Sequence, residues 1–184
     1  RASLPDCEIT YTRGYPIAGT DESGYAEALA AVQDADLCLL TLGGRYSSSS
    51  VSTMGEGVDS TDINLPICQE HFIREAAKLG TPLVGLHFDG RPASSDAADE
   101  LLDALVEAWA PAEMGGEALA DMLTGKVNFS GKLPVSVAYN AGQEPIYYNH
   151  PNGSAWHQGA SIGFPEYVNC PHTPRYPFGF GLSY

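Results

Sequence analysis

The stretch DLCLLTLGG, residues 36–44, is a continuous apolar run that ends in two glycines. Such a run is typical of a strand buried on both faces of a sheet. A second apolar run, TPLVGLHF, stands at 81–88. It follows the amphipathic segment LPICQEHFIREAAKLG at 65–80, whose pattern predicts a helix with Pro66 in its first turn and Gly80 at its C-cap. The alternation of strand and helix predicts an α/β protein, a three-layer α/β/α sandwich with a mainly parallel sheet.

The flanking segments extend this pattern in both directions. Tyr25, Leu29 and Val32 stand at helical spacing. The segment 104–111 fits either a third strand or the end of a helix that begins near Asp96. The other expected elements are a short strand at 7–15, a helix at 21–35, a helix at 115–125 and an edge strand at 131–138, where Pro134 cannot donate a ladder hydrogen bond.

The regular pattern ends near residue 141, where Gly, Pro, Tyr and His become frequent. Aromatic side chains at this density need a surface to pack against. We therefore expect two parts, a sandwich domain at 1–140 and an extended tail at 141–184 that packs on the same domain. The first residues, RASLPDCEITYTRGY, are typical of the middle of a longer protein rather than of a signal peptide.

Composition excludes several classes of partner. The 184 residues carry a net charge of −14, which argues against nucleic acid and anionic membranes. No apolar run reaches the ~20 residues of a membrane span, and a cytoplasmic and a secreted location both stay open. The four cysteines lack metal or redox spacing and only permit disulfides. Without a Gly-rich phosphate loop or a His-x-x-x-His pair, neither a cofactor nor a metal is expected.

The stretch STMGEGVDSTDINLP, residues 52–66, lies in a long connection between the first strand and the next helix. Ligands of parallel sheets meet such loops, and loops this long are usually functional or disordered. Glu56 stands between two glycines and is a candidate proton donor on a movable segment. The alternative is a solvated acidic loop of Glu56, Asp59 and Asp62, in which Asp62 caps the helix.

Weaker candidates lie elsewhere in the chain. Asn149, His150 and Trp156 suit a sugar site because aromatic faces stack on sugars, although a tail packed by its own aromatic residues explains them as well. The Gly90-Arg91 pair fits an anion site or, more simply, a turn after a strand. His87 is assigned to the structure of the second strand.

Five segments, in order along the chain, together resemble one known family. They are GEGVDSTDINLPICQE, GTPLVGLHFDGRP, LVEAWAPAEMGGEALADMLTGKVNFSGKLPVS, GQEPIYYNH and RYPFGFGLSY. The resemblance is to the C-terminal domain of glycoside hydrolase family 3, the family of β-glucosidases and β-xylosidases.

This resemblance implies a retaining β-glycosidase in which an N-terminal (β/α)₈ barrel carries the Asp nucleophile. A loop of the C-terminal domain then brings the acid/base Glu, and Glu56 falls at that motif position. Asp59 and Trp156 are the expected substrate-binding residues, and the substrate is a β-linked glycoside. The chain alone, without the barrel, is expected to be inactive. One alternative is a non-catalytic module for stability or carbohydrate binding. A second alternative is a flavodoxin-like domain that binds a nucleotide or acts as a receiver, and the resemblance disfavours this second one.

Overall fold

A computed structural model of the chain describes residues 4–45, 53, 57–149 and 169–184. Within these residues, three strands form one parallel sheet in the order β1–β2–β3. The predicted α/β sandwich with a mainly parallel sheet is confirmed. The elements are α1 (Tyr25–Gln33), β1 (Cys38–Gly43), α2 (Ile67–Ala77), β2 (Leu83–Phe88), α3 (Asp96–Leu101), β3 (Ala104–Trp109), α4 (Gly115–Leu123) and a 3₁₀ turn (Ala141–Gln143).

The hydrophobic core joins α1, α2 and α3 to one face of the sheet. Register places Leu40 beside Gly85. A Cβ at Gly85 would come within 2.6 Å of Leu102 and 3.1 Å of Leu42, so the missing side chain lets its neighbours close over the strand. The buried core residues are Tyr25, Ala28, Val32, Leu40, Leu42, Leu65, Phe72, Ile73, Ala76, Leu83, Ala97 and Ala98.

Burial of β1 on both faces was predicted, and for this strand the prediction is wrong. Leu40 and Leu42 are buried, whereas Leu39 is 47% exposed and Thr41 is also exposed. In the described part of the chain β1 is an edge strand of the sheet, and α1, α2 and α3 pack on the face that carries Leu40 and Leu42. Within the segment 104–111, residues Ala104–Trp109 form β3, and α3 ends earlier, at Leu101.

Two other predicted strands are wrong as well. In the part of the chain that the structure describes, residues 7–15 do not form a strand, and Tyr11 is 87% exposed. Alternation makes a strand only where a sheet edge accepts its backbone. The segment 131–138 does not join the sheet. It meets the tail instead, through an antiparallel bridge between Val137 and Tyr176 and through hydrogen bonds of Leu133 with Phe180 and Gly179.

Arg175 ties the described end of the tail to α3. Its side chain is 4% exposed and pairs with Asp96 and with Asp99, the latter at 3.0 Å. The guanidinium carbon also lies 4.3 Å from the ring centre of Tyr139. A desolvated Arg with carboxylate and aromatic partners is a firm anchor, since its planar fork loses little freedom for each bond formed.

The end of β1 is held by Gln69, a buried residue of α2. Its amide oxygen accepts from Gly43 N at 2.8 Å, and its amide nitrogen donates to Gly43 O at 2.8 Å and to Ile17 O at 3.1 Å. Gly43 has a φ of 105°, and a Cβ there would lie 2.1 Å from Phe88 O. Only glycine fits this position, and one buried amide satisfies both of its backbone groups.

Gln69→Leu is expected to lower the free energy of unfolding by about 2–4 kcal/mol, because both backbone groups of Gly43 and the carbonyl of Ile17 lose their hydrogen bonds to the amide. Urea unfolding of this domain measures the change. The matched control is Gln33→Leu, the same substitution at an exposed position of α1, which is expected to stay within ~0.5 kcal/mol of the parent. Equal effects of the two substitutions would contradict the assigned role of the Gln69 amide.

Candidate functional site

All three strands end at the same edge of the sheet, where ligands of parallel α/β proteins bind. A cavity of about 510 Å³ opens at this edge. It is lined by the end of β1, the connection that leads to α2, and the turn that follows β2. Its lining includes Gly43, Thr53, Asp62, Glu70, Asp89 and Arg91.

A buried histidine lies between two carboxylates at the ends of β2 and β3. The parallel register sets His87 opposite Glu107. His87 Nδ1 lies 2.9 Å from Glu107 Oε2, and Nε2 lies 2.8 Å from Asp89 Oδ2. The contact with Asp89 has ion-pair distance without good hydrogen-bond alignment. The His87 and Asp89 side chains are 6% and 0% exposed, so this ion cluster is desolvated.

The two carboxylates keep His87 charged. Burial lowers the pKa of the imidazole, but the carboxylates of Asp89 and Glu107 outweigh this effect and raise the pKa to about 9.

The same two carboxylates also accept hydrogen bonds from backbone N–H groups. Glu107 Oε1 accepts from Trp109 N at 3.0 Å, and Asp89 Oδ1 accepts from Arg91 N at 3.2 Å. Trp109 has a φ of 53°, which is uncommon for a residue other than glycine, and its carbonyl accepts from Asp89 N at 2.9 Å.

Arg91 links this cluster to the connection that contains the predicted proton donor. Its guanidinium donates to Thr53 O at 3.0 Å and to Val58 O at 3.4 Å. Thr53 is also paired with Arg45, whose N–H donates to Thr53 Oγ1 at 2.7 Å. The two residues that flank 54–57 are therefore held from the end of β2.

The far end of the same connection is anchored beside the turn after β2. Asn64 forms a parallel bridge with Ser94. Asp62 Oδ1 accepts from the backbone N–H of Asn64 at 2.9 Å and from its side-chain amide at 2.6 Å. The expected capping of the helix by Asp62 is therefore wrong. Pro66 occupies the N-cap of α2 without a side-chain cap, and Lys78, two residues before Gly80, is the C-cap.

Of the predicted site residues, Glu56 and Trp156 lie outside the described residues. Asp59 is described. It is exposed and follows Val58, whose carbonyl is bound by Arg91. Sequence reasoning missed the part that Arg91 plays and the cluster around His87. Their location in the sequence could have indicated both, since residues directly after a buried parallel strand lie at the edge of the sheet where ligands bind.

Metal binding and disulfide formation both depend on particular groupings of side chains. Residues 4–45, 53, 57–149 and 169–184 contain no group of three or more His, Cys, Asp or Glu arranged to hold a metal ion. All four cysteines are free. None of the helices described has the length and apolar composition needed to cross a bilayer.

Comparison with known proteins identifies the family. The family model described as Glycosyl hydrolase family 3 C-terminal domain matches residues 4–184. A β-xylosidase of Formosa agariphila is 33% identical over 178 residues, which cover 96% of this chain and 23% of that protein. A periplasmic β-glucosidase of Salmonella typhimurium is 36% identical over 160 residues, with 86% of this chain and 20% of that protein covered.

Solved structures agree with the sequence relatives. The crystal structure of a β-glucosidase from Listeria innocua in complex with gluconolactone superposes with a TM-score of 0.80 at 34% identity. The superposition covers 92% of this chain and 23% of that chain, so the chain spans under a quarter of the length of these relatives. Because the family model matches residues 4–184 of its 184 residues, this chain belongs to glycoside hydrolase family 3 and is a C-terminal domain of that family.

Proposed function

We propose that this domain supplies the general acid/base of a retaining β-glycosidase, and that Glu56 is the residue that does so. The observation that carries the proposal is the family match over residues 4–184. Relatives with 33% and 36% identity are named as a β-xylosidase and a β-glucosidase. The substrate class is accordingly a β-linked glucoside or xyloside.

Retaining hydrolysis needs two carboxyl groups about 5 Å apart, one that attacks the anomeric carbon and one that protonates the departing oxygen. An N-terminal (β/α)₈ barrel of the same protein provides the nucleophilic carboxylate in this proposal. Glu56 protonates the glycosidic oxygen as its bond to the anomeric carbon breaks, and the anomeric carbon becomes bonded to the nucleophilic carboxylate. Glu56 then takes a proton from the water that attacks the glycosyl-enzyme, which releases the sugar with its original configuration.

The described geometry supports this division of labour. Thr53 and Val58, on either side of Glu56, are held at the carboxyl edge of the sheet by Arg91. A loop rooted there can reach a second domain that covers this edge. Asp59, which is exposed beside Val58, and Trp156 are assigned to substrate contact, the former through hydrogen bonds to hydroxyl groups and the latter through its aromatic face.

The isolated 184-residue chain is expected not to hydrolyse 4-nitrophenyl β-glucoside or β-xyloside above background, whereas the full-length protein does so with retention. The reason is that one carboxylate without its nucleophilic partner cannot form the glycosyl-enzyme. Release of nitrophenol by both proteins, purified in parallel, measures the difference.

Turnover by the isolated chain that survives further purification would contradict the proposal. An inactive full-length protein that contains the barrel would favour the alternative, a sandwich module for stability or carbohydrate binding.

A further inference from the structure

The backbone of Arg91 is held at the end of β2 by a buried carboxylate. It is the third residue after β2, and its backbone N–H donates to Asp89 Oδ1 at 3.2 Å. Asp89 is buried and lies 2.8 Å from His87 Nε2, while His87 is bound on its other side by Glu107 of β3. Two neighbouring strands therefore fix the position of the Arg91 backbone.

From this base the guanidinium reaches across the sheet edge to the connection between β1 and α2. Nη2 donates to Thr53 O at 3.0 Å and Nη1 to Val58 O at 3.4 Å. Thr53 is restrained from the β1 side too, because its N–H donates to Arg45 O at 3.0 Å. A planar guanidinium presents two donors in a fixed fork, so it can hold two carbonyl groups at one separation, which a single ammonium does not do.

We propose that Arg91 is a positioning residue for the acid/base, acting by fixing the carbonyl groups of Thr53 and Val58. This inference rests on the proposed function. Arg91 does not itself transfer a proton. It fixes the positions of Thr53 and Val58, the two residues that it binds on either side of the acid/base. A proton donor must lie within hydrogen-bond distance of the leaving oxygen, and a misplacement of about 1 Å can cost about 10²-fold in rate.

The test is Arg91→Lys in the full-length enzyme. It keeps the charge and removes the fork. Values of kcat/KM are measured with an alkyl β-glycoside, whose leaving group needs protonation, and with a dinitrophenyl β-glycoside, whose leaving group does not. We expect a fall of roughly 10–100-fold for the alkyl substrate and a much smaller fall for the dinitrophenyl substrate. Because both values scale with the amount of folded enzyme, their ratio is unaffected by partial misfolding.

The control is Arg74→Lys, the same change at a half-exposed Arg on α2 whose ion pair within the described residues is a 3.8 Å contact with Glu70. It is expected to leave the ratio unchanged. An unchanged ratio for Arg91→Lys, with or without an equal loss of kcat/KM on both substrates, would overturn the positioning role.

Glu56→Gln, measured alongside, separates the positioning role of Arg91 from the proposed function. If it shifts the ratio and Arg91→Lys does not, only the positioning role fails. If Glu56→Gln does not shift it, the proposed function fails and the positioning role with it.

Discussion

Glu56→Gln in the full-length enzyme is expected to slow the hydrolysis of disaccharides and alkyl β-glycosides by about 10²–10⁴-fold, the usual contribution of general acid catalysis. An alkoxide is a poor leaving group and departs only when a proton arrives with bond cleavage. Glutamine is nearly isosteric with glutamic acid, but its amide N–H is not acidic enough to transfer a proton to the leaving oxygen. The substitution therefore removes the chemistry while it preserves the shape of the side chain.

Dinitrophenyl β-glycosides are expected to behave differently. Dinitrophenolate leaves without protonation, so kcat/KM, which reports the glycosylation step, falls much less than for alkyl substrates. Deglycosylation still needs a base, so it becomes rate-limiting and kcat falls. Initial rates over a series of leaving groups with different pKa values measure this dependence.

Asp59→Asn is the matched control for Glu56→Gln. It neutralises a carboxylate three positions further along the same connection, and Asp59 itself is exposed. As the proposed substrate contact, Asp59 is expected to affect good and poor leaving groups by the same factor when it is substituted. A leaving-group dependence that follows Asp59 and is absent from Glu56 would move the acid/base role to Asp59.

His87→Gln is expected to cause the second large effect, a loss of roughly 3–5 kcal/mol in the free energy of unfolding. It removes the cation from a buried ion cluster and leaves the carboxylates of Asp89 and Glu107 facing each other without it. Urea denaturation at pH 6 measures the loss. His71→Gln is the control. His71 pairs with Glu22 on the surface, with side chains 50% and 51% exposed, and such pairs contribute at most about 1 kcal/mol.

The effect of His87→Gln should depend on pH. The pKa of His87 is raised from 6.5 to about 9 in the folded protein. The stabilisation by the charged imidazole is therefore fully present below pH 6.5 and is lost as the pH rises through 9. The difference in unfolding free energy between the parent and His87→Gln is expected to shrink between these two values. A difference that is constant from pH 6 to 9.5 would mean that His87 is not charged in the fold.

The main elements could be predicted from sequence because their patterns are local. The apolar runs at β1 and β2 and the amphipathic pattern of α2 each follow from a few neighbouring residues. The segment 7–15 could not be predicted correctly, because its alternation is local while the strand partner it needs is not. For the same reason, the pairing of 131–138 with the tail rather than with the sheet was not visible in the sequence.

The candidate site also has a part that local sequence predicts and a part that depends on the fold. The motif around Glu56 could be found from sequence because its residues are adjacent in the chain. The cluster of His87 with Glu107 depends on the register of two parallel strands, which no local pattern encodes. Arg91 could be assigned to a turn, but its hold on Thr53 and Val58 joins positions that lie more than thirty residues apart in the chain.

The most direct test of the central claim is the product that Glu56→Gln forms in the presence of azide. Azide attacks the glycosyl-enzyme without help from a base, so it is expected to restore turnover of the dinitrophenyl β-glycoside and to yield the β-glycosyl azide, since two inversions give net retention. NMR of the product reads the anomeric configuration. Unchanged turnover with no azide adduct would contradict the claim that Glu56 is the acid/base, and an α-glycosyl azide would make Glu56 the nucleophile instead.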